Sequence, residues 1–127
     1  MSNPSDRKYT ATHEWIRDNG DGTVTVGITD HAQEALGELV YVELPQAGRT
    51  VAAGEACAVV ESTKAASDVY APLAGKVVGG NDALAGEPQL VNSAPFEGGW
   101  LFRLQPADPS ALAALMSAAD YDRSSAA

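Results

Sequence analysis

Lys64 stands at the centre of a short run of small and polar residues that separates two apolar segments. The run is Ser62-Thr63-Lys64-Ala65-Ala66-Ser67, and Glu61 and Asp68 flank it. We predict that the apolar segments form a hairpin with Lys64 at its exposed tip, where an enzyme approaches the ε-amine from any direction. This position suits covalent attachment of a group to the lysine. An ordinary surface lysine fits the spacing equally well.

No set of catalytic side chains accompanies this lysine. The sequence contains no Gly-x-Ser-x-Gly elbow, Walker loop, dinucleotide fingerprint, His-Glu-x-x-His motif or paired-cysteine zinc spacing. His13 and His31 are the only histidines, and a packing or solvated role explains them better than a chemical one. Cys57, the only cysteine, lies in an apolar strand and is assigned no function. The residues alone therefore give no support for an enzyme or a metal site.

Short strands are predicted to position Lys64. Two alternating segments flank a glycine-rich turn between residues 18 and 22, which is typical of a hairpin. Turn residues separate further strand candidates, which we place at residues 39–44, 56–61, 68–71, 76–78 and 100–104. The sequence therefore predicts an all-β architecture.

Two helices are also expected. Asp30 is predicted to cap a short helix, with Gln33 completing a variant of the capping box and Gly37 ending it. Asp108 is predicted to cap a C-terminal helix that begins at Pro109 and presents an apolar face made of Leu112, Leu115 and Met116.

Composition limits the function further. The 127 residues include 8 Lys+Arg and 17 Asp+Glu, a net charge of −9, so the chain lacks the basic patch that nucleic acids and anionic membranes require. A single cysteine suits a reducing compartment, and we find neither a signal peptide nor an apolar run of about 18 residues. We expect a cytoplasmic protein with no nucleic-acid or membrane partner.

The residues around Lys64 resemble a known family. The segment from Glu61 to Pro72 is similar to the lipoyl-attachment hairpin of the glycine cleavage system H proteins. Further blocks resemble the same family in the same order: Tyr9-Thr10-x-x-His13-Glu14-Trp15, Val26-Gly27-Ile28-Thr29-Asp30-His31-Ala32-Gln33, Val42-Glu43-Leu44-Pro45, Leu90-Val91-Asn92 and Gly99-Trp100-Leu101. The resemblance extends from about Tyr9 to Tyr121.

The resemblance implies a carrier that is not itself a catalyst. It implies a lipoyl group joined by an amide to Lys64, with Glu61, Ser62, Ala65 and Asp68 as the residues by which the hairpin is recognised. Partner enzymes would perform the chemistry. The implied partners are a pyridoxal-phosphate glycine decarboxylase, which loads an aminomethyl group, a tetrahydrofolate-dependent aminomethyltransferase, a dihydrolipoamide dehydrogenase and the lipoylation enzymes.

The resemblance also implies a cleft that protects the loaded arm from hydrolysis. By position in the matching blocks, the candidates for this cleft are Thr12, Glu14 and Asp68, and a carboxylate there would hold the amine by a charge-assisted hydrogen bond. Plain surface positions for these polar residues are the alternative.

Several rival functions use a similar hairpin. Biotin carriers typically flank their lysine with methionine, whereas Thr63 and Ala65 flank Lys64. The lipoyl domains of 2-oxoacid dehydrogenases are shorter and lack the block from His13 to Trp15. A relay or scaffold for lipoylation of other dehydrogenases remains an alternative, as does an unmodified β-barrel interaction module with a free Lys64.

We therefore expect an all-β barrel-sandwich hybrid of the lipoyl and biotinyl type, with a short helix near residues 30–37 and a C-terminal helix from about residue 109. Residues 9–121 are expected to form a single lipoyl-carrier domain between a flexible N-terminus, residues 1–8, and a flexible tail, residues 122–127.

Overall fold

Nine antiparallel strands form the molecule, which a computed structural model describes over residues 4–125, apart from the side chains of residues 124 and 125. The strands are β1 Lys8–Tyr9, β2 Glu14–Asp18, β3 Val24–Ile28, β4 Leu39–Glu43, β5 Thr50–Val51, β6 Ala56–Ser62, β7 Ala66–Tyr70, β8 Gly75–Gly80 and β9 Phe102–Pro106. Six of them form one sheet in the order β1-β2-β3-β9-β8-β5, and three form a second sheet in the order β4-β6-β7. This architecture confirms the predicted barrel-sandwich hybrid.

The two sheets enclose one main apolar core. Val26 and Leu104 from the larger sheet and Val60 and Val69 from the smaller one are almost completely buried in it. Because neighbouring residues of a strand point to opposite faces, the alternate residues of β6 and β7 remain on an outer face. The smaller sheet therefore presents an exposed surface next to the turn that carries Lys64.

A second apolar cluster lies at the outer side of the larger sheet. It consists of Tyr9, Trp15, Phe96 and Tyr121. The buried guanidinium of Arg7 lies 4.5 Å from the centre of the Trp15 ring and donates a hydrogen bond to the carbonyl of Phe96. Arg7, within the predicted N-terminal segment of residues 1–8, thus packs against this cluster, while residues 1–3 lie outside the described residues.

The helices are short, at α1 Asp30–Leu36, α2 Ala83–Gly86, α3 Leu90–Ser93 and α4 Ala118–Ser125, with a 3₁₀-helix at Pro109–Ala114. Helix α1 ends at Gly37 as predicted, with φ +85°, but the expected capping by Asp30 is wrong. The cap is Thr29, whose Oγ1 accepts a hydrogen bond from Ala32 N, because Asp30 already has a helical position and accepts instead from the Gln33 side chain.

The predicted C-terminal helix is divided into two. Asp108 caps Pro109 as expected, yet the 3₁₀-helix stops at Ala114, and Met116 forms a β-bridge with Tyr9 through two backbone hydrogen bonds. A residue paired in this way cannot continue a helix, so α4 starts afresh after it. Helix α4 then extends into the predicted tail, and residues 126–127 lie outside the described residues.

Candidate functional site

Lys64 lies in the exposed turn between β6 and β7. Its backbone is held by Ser62, whose Oγ accepts hydrogen bonds from Lys64 N at 3.3 Å and Ala65 N at 3.1 Å. Ser62 N also donates to Ala65 O at 2.7 Å, which closes the turn. Ser62 itself is buried, whereas Thr63, Lys64 and Ala65 are exposed. The sequence thus builds a rigid base under a freely accessible ε-amine.

The turn is also supported from outside the hairpin. Thr63 N donates a hydrogen bond to Glu38 O at 3.3 Å, across the loop that joins α1 to β4. In the same loop, Gly37 lies so close to the lysine that a Cβ added there would be 3.5 Å from Lys64 Cε. The loop at residues 37–38 therefore forms a second support for the attachment turn.

Two carboxylates share the outer face of the sheet beside Lys64. Glu61 pairs with Ala66, and Asp68 pairs with Val59. Because directly opposed residues lie on the same face, and so do residues two apart in a strand, Glu61 and Asp68 lie on one face. The surroundings of Lys64 are therefore acidic, and Asp68 and Ala65 are exposed within them.

A cleft of about 360 Å³ opens at the free edge of β7. It is lined by Thr10, Thr12, Glu14, Gly54, Tyr70, Ala71 and Pro72. Glu14 is only 2% exposed, and its carboxylate accepts three hydrogen bonds. Its Oε1 accepts hydrogen bonds from the hydroxyls of Thr10 and Thr12 at 2.5 Å each, and its Oε2 accepts one from Tyr70 N at 3.4 Å.

Burial raises the pKa of Glu14 above its ordinary value, and the hydrogen bonds from Thr10, Thr12 and Tyr70 N partly oppose this rise. The ionised carboxylate thus has hydrogen-bond donors but has lost the stabilisation that water gives to its charge. A cation that entered the cleft would supply the missing counter-charge. The cleft is therefore suited to bind a small ammonium group.

The structure brings Thr12 and Glu14 together and places Asp68 elsewhere. Asp68 is not among the residues that line the cleft; it lies on the same face of β7 as Tyr70, two residues nearer the turn. The four residue steps from Ala66 to Tyr70 correspond to about 13 Å of strand. Sequence reasoning missed Thr10 and Tyr70 as cleft residues, although Thr10 stands in the same sequence block as Glu14.

His13 shapes the loop between the two cleft residues. It is the one residue other than glycine with a positive φ among those described, at +70°, and it separates Thr12 from Glu14. Its Nδ1 lies 2.5 Å from the Tyr121 hydroxyl, and its ring centre lies 4.6 Å from that of His31. Burial, followed by the charge of His31, lowers the pKa of His13. His13 therefore holds the loop by packing and hydrogen bonding.

A larger groove of about 480 Å³ lies at the opposite end of β6 from Lys64, with Glu43, Arg49 and Cys57 in its lining. Burial raises the pKa of the Cys57 thiol to about 11, so this thiol stays protonated and unreactive at neutral pH. The smaller cleft is the candidate site, because the predicted cleft residues Thr12 and Glu14 line it.

Residues 4–125 contain neither a metal-binding cluster nor a membrane-spanning helix. No group of three or more His, Cys, Asp or Glu side chains there is arranged to hold a metal ion. Helices in the same range are all too short or too polar to cross a membrane.

Known proteins are similar to this chain in both sequence and fold. The family profile described as Glycine cleavage H-protein matches residues 7–126. The chain is 61% identical to the glycine cleavage system H protein of Halorhodospira halophila over 118 residues, which covers 93% of this chain and 91% of that protein. It is 55% identical to an Escherichia coli protein of the same name, over 96% of this chain and 95% of the relative. A crystal structure of the H protein from Mycobacterium marinum superposes with a TM-score of 0.89 at 44% identity, covering 98% of this chain and all of that one.

Proposed function

Because the chain belongs to the glycine cleavage H-protein family, we propose that Lys64 is the residue that carries its lipoyl group, as an amide of the ε-amine. The role of the chain is to carry a lipoyl group in the glycine cleavage system. The observation that carries the assignment to Lys64 is the exposed turn built on the buried Ser62, which presents this amine to solvent.

The chain's residues fit a lipoyl arm. Lys64 is accessible for acylation, and the cleft around Glu14 begins along the same strand that leaves the turn. When bound, the lipoyl group supplies the dithiolane that takes up the aminomethyl group of glycine and passes it on. An extended lipoyl-lysine arm is about as long as the part of β7 that lies between the turn and the cleft.

Glu14 is proposed to receive the amine of the loaded arm. Its buried carboxylate would accept a charge-assisted hydrogen bond from the ammonium. Thr10 and Thr12 hold this carboxylate in place through their hydroxyls, and Pro72 and Tyr70 form the apolar wall that keeps water away. Both features would slow hydrolysis of the loaded arm.

The proposed partners follow from this role. They are a pyridoxal-phosphate glycine decarboxylase, a tetrahydrofolate-dependent aminomethyltransferase, a dihydrolipoamide dehydrogenase and the enzymes that attach the lipoyl group. We propose that they perform the catalysis and that this chain is a non-catalytic carrier. Acylation of Lys64 removes one of 8 cations, so the net charge becomes 7 − 17 = −10. Basic docking surfaces on these partners would attract such a carrier.

Intact-mass measurement tests the attachment site. The protein is expressed in lipoate-replete cells as wild type, as Lys64→Arg and as Lys76→Arg, which makes the same change at another exposed lysine. We expect one lipoyl group on the wild type and on Lys76→Arg, and none on Lys64→Arg. The same three proteins are then combined with a glycine decarboxylase in a glycine–bicarbonate exchange assay. Exchange retained by Lys64→Arg would refute the assignment, as would an unmodified wild-type mass.

A further inference from the structure

Asn92 joins three separate parts of the chain beside the attachment turn. Its Nδ2 donates hydrogen bonds to Gln33 Oε1 at 2.9 Å and to Gly37 O at 2.8 Å. Its Oδ1 accepts a hydrogen bond from Leu39 N at 2.9 Å. One amide in α3 therefore fixes the last part of α1, the glycine that ends it and the first residue of β4.

The loop that Asn92 fixes is the one that supports Lys64. Gly37 and Leu39, which Asn92 binds directly, enclose Glu38, and the carbonyl of Glu38 accepts the hydrogen bond from Thr63 N. Leu39 also pairs with Ser62, the residue on which the turn is built. The contacts thus form a continuous path from Asn92 through residues 37–39 to Ser62 and Thr63, the two residues that precede Lys64.

We propose that Asn92 is a positioning residue for Lys64, and that it keeps the attachment turn in the conformation that the lipoylating enzyme and the partner enzymes bind. The proposal rests on Lys64 being the attachment site. The three contacts require a short side chain that donates two hydrogen bonds and accepts one, and asparagine has this combination. A carboxylate would keep the bond from Leu39 N but would face the oxygens of Gln33 and Gly37 without a proton to donate.

Losing this support would change how often the attachment turn adopts the conformation that the enzymes bind. Without it, the turn spends part of its time in conformations that an enzyme does not bind, so the apparent affinity falls in proportion to the competent fraction. Once bound, Lys64 reacts as before. The proposal therefore predicts a raised KM for lipoylation with a nearly unchanged kcat.

The experiment uses Asn92→Asp, with Asn92→Ser as a second variant whose side chain is too short to bind both Gly37 and Leu39. Asn81→Asp is the matched control, because Asn81 also donates to two carbonyls, those of Gly98 and Trp100, and accepts a hydrogen bond from Ala83 N. Amide hydrogen exchange is measured on the unmodified proteins at Thr63 and, as a reference outside the turn, at Ala71, whose N–H donates to Glu55 O at 2.8 Å. Lipoylation of each protein is then followed with a lipoate–protein ligase, lipoate and ATP.

We expect Thr63 in both Asn92 variants to exchange about three- to tenfold faster relative to Ala71, and KM for the ligase to rise by a similar factor. Asn81→Asp should change neither the relative exchange rate of Thr63 nor the KM for the ligase, whatever it does to global stability. Unchanged Thr63 exchange and unchanged KM in the Asn92 variants would overturn the proposal, as would equal effects in Asn81→Asp. A wild-type protein left unmodified at Lys64 would instead refute the attachment site, and the exchange data would still decide on the role of Asn92.

Discussion

The indole of Trp15 lies directly over the backbone of Gly27. The two residues are paired across β2 and β3, and a Cβ added to Gly27 would be 2.5 Å from Trp15 Cε2. Trp15 cannot move away freely, because its Nε1 donates a hydrogen bond to Pro95 O at 2.9 Å and its ring contacts Arg7. The glycine is therefore required by the close approach of the ring.

Gly27→Ala is expected to lower the free energy of unfolding by about 2 kcal/mol, because the added methyl group overlaps a fixed ring. Urea denaturation followed by tryptophan fluorescence measures this change. Gly79→Ala is the control, since Gly79 also lies in a strand but has no atom within 4 Å of its Cβ position. Equal losses in the two variants would show that the effect comes from strand glycines in general.

His13 is expected to make the protein less stable in mild acid. Burial and the neighbouring His31 lower its pKa from 6.5, so the unfolded chain binds this proton more readily than the folded one. Its contribution to stability is therefore complete above about pH 7 and is lost as the pH falls below 6.5 towards the folded pKa. Glu14 acts in the opposite direction, because its pKa is raised from 4.5. Its contribution to stability is complete below pH 4.5 and is lost as the pH rises through its folded pKa.

Urea denaturation of wild type and His13→Gln between about pH 5 and about pH 8 isolates this contribution. The difference in unfolding free energy between the two proteins should shrink as the pH falls, because the variant has no group to titrate at this position. A constant difference across the range would contradict the prediction.

Local sequence patterns were sufficient to predict much of this molecule. Alternation and turn residues located the strands on both sides of Lys64, because the strand period and hairpin turns depend on neighbouring residues. The break in the C-terminal helix at Leu115 and Met116 was not predicted, since it depends on the pairing of Met116 with Tyr9, residues that are distant in the chain.

The candidate site shows the same limit. Thr12, Glu14 and Asp68 were all cleft candidates through the family resemblance, and of these three only Thr12 and Glu14 line the cleft. The support that Asn92 gives to residues 37–39 spans more than 50 positions of the chain and leaves no periodic signal in the sequence. Contacts between distant segments of this kind require the folded structure.

The acidic face beside Lys64 is expected to make partner binding depend on salt. Glu61 and Asp68 lie exposed or half-exposed on that face, and charges in such positions are screened within about 8 Å at physiological ionic strength. The KM of the decarboxylase for the carrier should therefore rise several-fold between low salt and about 0.3 M salt. The double variant Glu61→Gln, Asp68→Asn should weaken this dependence, whereas Asp21→Asn, in the turn between β2 and β3, should not. A KM that does not respond to salt would count against electrostatic steering.

Glu14→Gln is expected to shorten the lifetime of the loaded carrier by about tenfold or more, because a neutral amide cannot form the charge-assisted hydrogen bond to the amine. The variant should remain folded, because its amide oxygen still accepts hydrogen bonds from the Thr10 and Thr12 hydroxyls and only the long bond from Tyr70 N is lost. The measurement loads each lipoylated carrier with the decarboxylase, removes the enzyme and follows the release of ammonia.

Asp68→Asn tests whether the amine is bound in the cleft or on the outer face of the sheet. Asp68 is exposed and does not line the cleft, so its neutralisation should change the lifetime by less than about twofold, the effect of a weak exposed charge contact. If Asp68→Asn shortened the lifetime as much as Glu14→Gln, the amine would be held along β7 outside the cleft. If neither variant changed it, the loaded arm would not be protected by these carboxylates, and exclusion of water by Tyr70 and Pro72 would be the remaining source of protection.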